Sequence, residues 1–134
     1  MYLSIKPGES PPALAAEPSR VIVVLDTEVS PEWQSTVSEW LVSVGCLYML
    51  AWGARCSSWD DSVDHANLEA VGFEAIPEGA DVMTTWHENE SLQEVMWFAK
   101  SCAFHSSVDL TRTIILHVGE SPREQELCAI YAAA

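Results

Sequence analysis

Val21-Ile22-Val23-Val24-Leu25, closed by Asp26, is the stretch that decides the fold. It is apolar on both faces and mostly β-branched, as a strand buried inside a parallel sheet must be. Ser30 then offers an N-cap, and Pro31 suits the first helical position because its missing N–H has no partner there anyway. Trp33, Val37, Trp40, Leu41 and Val44 follow at helical spacing, and Gly45 supplies the stop. Cys46 to Trp52 reads as a second strand, so the chain opens with strand, helix, strand.

The alternation continues. Ser57 or Ser58 starts a second helix with Val63, Ala66, Ala70 and Val71 on its inner side and Gly72 at its end. Val82 to Trp86 predicts a third strand. Ser91 with Glu94 makes a capping box for a helix whose stripe is Leu92, Val95, Met96, Ala99, Cys102 and Ala103. Thr113 to Val118 is a fourth strand. Ser121, Pro122 and Glu124 repeat the start signals for a last helix carrying Leu127, Ile130 and Tyr131. Strands and helices alternating over short loops predict an α/β fold. The expected architecture is a small three-layer, open, mainly parallel sheet of about four strands, Rossmann-like or flavodoxin-like. Pro7, Pro11, Pro12 and Pro18 make residues 1–20 an expected flexible, extended arm, with Tyr2 to Ile5 able to add an edge strand. Residues 21–134 are then a single α/β domain.

Charge narrows the partners. The chain has 134 residues, 49% of them hydrophobic, and a formal net charge of −14. That composition supports one packed core rather than disorder. The charge disfavours direct binding to nucleic acid or to anionic membrane surfaces, and it favours cations: divalent metals or a basic protein. Between Arg55 and Lys100 there is no Lys or Arg, while Asp60, Asp61, Asp64, Glu69, Glu74, Glu78, Asp81, Glu88, Glu90 and Glu94 all fall there. Such a run is either a solvated face or an electrostatic docking surface. Cys46, Cys56, Cys102 and Cys128 form no C-x-x-C pair, so zinc-ribbon and thioredoxin chemistry have no support. With no signal-peptide pattern and no membrane-length apolar run, the expected location is the reducing cytoplasm.

In open parallel sheets, ligands bind beyond the carboxyl ends of the strands. The loops there hold Asp26-Thr27-Glu28, then Arg55 to Asp61, then Trp86 to Glu90, and finally His117 to Ser121. Asp26, His87 and His117 are the candidate divalent-metal ligands, because helix capping accounts for them least well. Paired carboxylates in these loops also suit acid–base work if crowding raises one pKa. Cys56 precedes a helix start, a place that lowers a thiol pKa, although its acidic neighbours oppose this. Trp59 and Trp86 fall beside acids at the ligand edge, where tryptophan commonly anchors a protein interface.

No glycine-rich loop follows the first strand, and no Gly-x-Ser-x-Gly elbow occurs. The functional expectation is a non-enzymatic acidic binding protein of the immunity or inhibitor type that docks onto or neutralises a basic protein. Its partner-binding residues would be Trp59, Asp60, Asp61, Asp64, Trp86, Glu88 and Glu90, with no cofactor. The alternative is a small divalent-metal-dependent enzyme or ligand sensor at the carboxyl edge of the sheet.

Overall fold

The computed structural model describes residues 1–134. In chain order the elements are β1 (Tyr2–Ile5), β2 (Ser19–Leu25), α1 (Pro31–Ser43), β3 (Cys46–Gly53), α2 (Ser58–Ala70), β4 (Met83–Trp86), α3 (Leu92–Ser101), β5 (Arg112–Val118) and α4 (Glu124–Ala133). The five strands form one sheet in the order β1-β5-β2-β3-β4, and every neighbouring pair is parallel. The all-apolar run becomes the central strand, with all seven residues of β2 buried. Alternate side chains of β2 feed two cores. Val21, Val23 and Leu25 meet Val37 and Leu41 of α1 with Trp59 and Val63 of α2. Ile22 and Val24 meet Leu92, Val95, Met96 and Ala99 of α3 with Leu127 of α4. Two helices on each face make the three-layer α/β fold of Rossmann-like or flavodoxin-like type. No helix is long and apolar enough to cross a membrane.

The sheet has five strands rather than about four, because Tyr2–Ile5 pairs with β5 in the register Tyr2↔Ile115 to Ile5↔Val118. The proline-rich residues that follow contribute no strand, and side chains of the domain hydrogen-bond to their carbonyls at several points. Trp33 Nε1 donates to the Glu9 carbonyl and Trp40 Nε1 to the Pro12 carbonyl, each at 2.8 Å. Leu14 packs on the core, and Arg112 Nη1 donates to the Ala15 carbonyl at 2.9 Å. Proline removes a donor but leaves its carbonyls free, and indole and guanidinium groups use the carbonyls along this stretch.

Four local expectations are corrected. The inner side of α2 is Trp59, Val63, Ala66 and Asn67, whereas Ala70 is exposed. Asn67 is buried because its amide spans two backbone groups, donating to the Ala80 carbonyl and accepting from Val82 N–H, each at 3.0 Å. Cys102 leaves the α3 stripe and is exposed, since it is the C-cap. The last helix starts at Glu124 after Arg123, without a serine cap. Ser57 precedes α2 without a side-chain capping bond, and the Ser58 hydroxyl donates to the Arg55 carbonyl instead. Ser30, by contrast, accepts from Trp33 N–H, and Ser91 with Glu94 closes a full capping box as read. Gly53 has φ +105°, and a Cβ there would strike the Leu25 carbonyl, so the β3 end admits only glycine.

Candidate functional site

Strand order locates the switch point. From β2 the chain turns to α1 and then β3 on one side; from β5 it turns to α4 on the opposite face. The crevice between the carboxyl ends of β2 and β5 is where open α/β sheets bind ligands. Asp26 and His117 meet there, His117 Nε2 donating to Asp26 Oδ2 at 2.5 Å. Arg123 Nη1 donates to the other oxygen, Oδ1, at 2.7 Å. Tyr2 Oη accepts the Arg123 backbone N–H at 2.8 Å. Its own proton is then directed at His117 Nδ1, 2.7 Å away, which matches the tautomer that donates from Nε2. Arg123 also forks onto Glu126, both contacts at 2.9 Å. That pairing holds the Glu126 carboxyl below its usual range and pushes the Arg123 guanidinium up. A Cβ on Gly119 would come within 3.1–3.2 Å of Asp26 and His117, so glycine lets the backbone close over the pair.

This cluster is self-satisfied. Both Asp26 oxygens and both ring nitrogens of His117 are engaged, and His117 is fully buried. It fastens β1, β2, β5 and the start of α4 together at the switch point, with Asp26 and Arg123 partly open to solvent.

His87 does not join it. In register, His117 lies beside Val24 and Val24 beside Trp52, while Ala51 lies beside Trp86. His87 is thus level with His117 but three strands away, roughly 14 Å at about 4.8 Å per strand. Its Nδ1 donates to Glu90 Oε2 at 2.9 Å and its Nε2 accepts from Thr85 Oγ1 at 3.0 Å, leaving no free lone pair. Asp26, His87 and His117 therefore do not share a metal, whose ligands must all lie within about 2–2.6 Å of it. The acids that do converge are Asp60, Asp61 and Asp64, with one oxygen of each within 4.8 Å of the others. An all-oxygen set of that kind matches hard cations such as Mg²⁺ or Ca²⁺.

The other notable corner lies where α2 begins, β4 ends and α3 begins. Thr84 Oγ1 donates to Asp60 Oδ1 and so ties β4 to α2. Partial desolvation of its carboxyl first, and then the neighbouring Asp60 charge, push exposed Asp64 above its ordinary range. Asp61, Asp64, Glu88 and Glu90 are exposed. Trp86 is 46% exposed and Trp97, on α3, 56%. Asn89, Glu90, Gln93, Glu94, Trp97 and Phe98 line an open depression of about 670 Å³.

Trp59 is corrected here: it is 1% exposed, in the core with Val63, and cannot contact a partner. A tryptophan at the second position of an amphipathic helix points inward when its Asp neighbours point out, and loop position alone does not reveal that. Cys56 is corrected as well. It is buried, and burial pushes its thiol up, overriding any pull from the nearby helix start. Cys46, also buried, is pushed up to about 12. Neither is a thiolate nucleophile. Tyr2, Arg123 and Gly119 were not legible as site residues, because their roles depend on β1 lying beside β5.

No curated protein matches this chain. A solved structure described as "Crystal structure of an hypothetical protein" is similar to it, with a TM-score of 0.47 and 11% identity, over 90% of this chain and 74% of that one. The family described as Domain of unknown function (DUF7684) matches residues 1–134, and the chain belongs to that family.

Proposed function

We propose that this protein is a non-enzymatic acidic binding protein that docks onto a basic protein through the corner formed by α2, β4 and the start of α3. The observation that carries this reading is exposed Trp86 at the end of β4, flanked by the Asp60, Asp61 and Asp64 group and by Glu88 and Glu90, in a stretch with no lysine or arginine between Arg55 and Lys100. The molecule's six Lys and Arg residues do little to offset that charge. Arg20 is buried against the Ala103 carbonyl, Arg112 binds the Ala15 and Val44 carbonyls, Lys100 reaches the carbonyls of Ala132 and Ala134, and Arg123 serves the switch-point cluster. Among the acids only Asp26 and Glu126 meet an arginine or lysine. The corner thus offers negative charge that meets no lysine or arginine beside an exposed aromatic anchor, so charge speeds encounter and the ring adds affinity. An immunity or inhibitor role follows where the basic surface covered is the partner's working surface.

The test is affinity purification from the source cells, with captured proteins identified by mass spectrometry. The triple variant Asp61→Lys, Asp64→Lys and Glu88→Lys is compared with a control of equal charge change, Glu32→Lys, Glu39→Lys and Glu124→Lys. A basic partner held by wild type and control but lost from the corner variant supports the reading. Equal loss from both variants reduces the effect to net charge, and retention by both removes this corner as the interface.

A further inference from the structure

Strand β4 forms one border of the sheet, and its outer edge has no strand beside it. His87 N–H donates to the Ala51 carbonyl, so Met83, Thr85 and His87 turn their backbone groups toward β3. Alternate residues of a strand face opposite neighbours, which turns the N–H and C=O of Thr84 and Trp86 outward. Natural edges are commonly guarded by lysine, proline, a bulge or a covering element. Met83-Thr84-Thr85-Trp86 is guarded by its shortness, at four residues, but it carries no lysine or proline and pairs with β3 without a register shift. The opposite border, β1, runs directly into Lys6-Pro7.

The acids around β4 decide what can lie there. Asp60 is bonded to Thr84, Asp64 lies beside Asp60, and Glu88 and Glu90 follow the strand. A second copy of this chain would bring the same acids against themselves, at a formal charge of −14 on each molecule. An extended cationic segment meets no such repulsion. Trp86, almost half exposed at the strand end, gives its side chains an aromatic surface.

We propose that β4 is a strand-addition site, and that the partner docks by laying an extended basic segment along the outer edge of Thr84 and Trp86. This rests on the reading of an acidic binding protein and names the mode by which it binds. Main-chain bonds at the edge supply affinity, and alternate partner side chains read the acids and the indole.

The probe is a blocked octapeptide of alternating lysine and valine, together with a counterpart of equal charge N-methylated at every residue. Affinity and hydrogen exchange of the Thr84 and Trp86 amides are measured by NMR on the intact protein at low salt. Strand addition predicts that the unmodified peptide slows exchange at these two amides and binds about tenfold or more tighter than the methylated one. Trp86→Pro should weaken it further than Trp86→Ala. Both variants lose the ring, but only proline also removes the outward N–H, a change an edge strand tolerates.

If both peptides bind equally and neither amide is protected, strand addition is overturned while the acidic corner stands. If neither peptide binds, both readings fall. If sedimentation shows a dimer that Trp86→Pro dissolves, the edge belongs to a second copy and the proposal is overturned.

Discussion

Tyr2 and His117 show how much a single hydroxyl can organise. The phenol receives the first N–H before α4 and directs its proton to a ring nitrogen that is entirely buried. Tyr2→Phe keeps the ring but strands that nitrogen and that N–H. The expected cost is about 1–2 kcal/mol, because an unmatched buried polar group loses its full solvation. In thermal unfolding this lowers the midpoint by roughly 4–8 °C for a domain of this length. An unchanged midpoint would mean that the cluster does not hold β1 to the sheet. Nothing near Tyr2 in sequence announces this role; its partners stand 115 and 121 positions away.

Helix α2 carries its tension in its first two turns. Asp60 and Asp61 lie in the first turn, where acids are favoured by the helix dipole. Asp64 adds a third carboxylate and holds its proton more tightly in the folded chain than in the unfolded one. Protonation therefore favours folding, and that stability is lost as pH rises through the raised value. Asp64→Asn should accordingly be more stable than wild type at pH 7, and the gain should vanish below the ordinary carboxylate value of 3.8. Asp64 is exposed, so solvent screening reduces the expected gain to about 0.5 kcal/mol, or roughly 2 °C. Calorimetry across that pH range reads it directly, and a gain independent of pH would point to helix propensity instead. The same helix marks the boundary of what spacing reveals. Val63 and Ala66 were legible as inward residues from periodicity, but Asn67 was not. Its burial depends on the Ala80 and Val82 backbone groups brought in from another part of the chain.

At the scale of the whole molecule, self-repulsion is the dominant electrostatic fact. Twenty acids face six lysines and arginines, four of which are spent on internal bonds. Raising ionic strength from about 0.01 M to about 0.15 M shortens the Debye length from about 30 Å to about 8 Å and screens that repulsion. The unfolding midpoint should rise with sodium chloride over this range, while capture of a basic partner weakens. A midpoint that falls with salt would show that specific ion pairs outweigh the net charge.

The amino-acid sequence by itself determined the element order, the parallel central strand, the capped helices α1 and α3 and the unbroken acidic middle. These depend on neighbours within a turn or a strand, so periodicity and composition report them. The tertiary structure alone decided that Asp26 closes on His117, Arg123 and Tyr2 while His87 stays with Glu90. It also decided that Trp59 turns inward while Trp86 stays on a free edge. Those outcomes depend on strand order and on which face each helix covers, and strand order is set by packing between segments far apart in the chain.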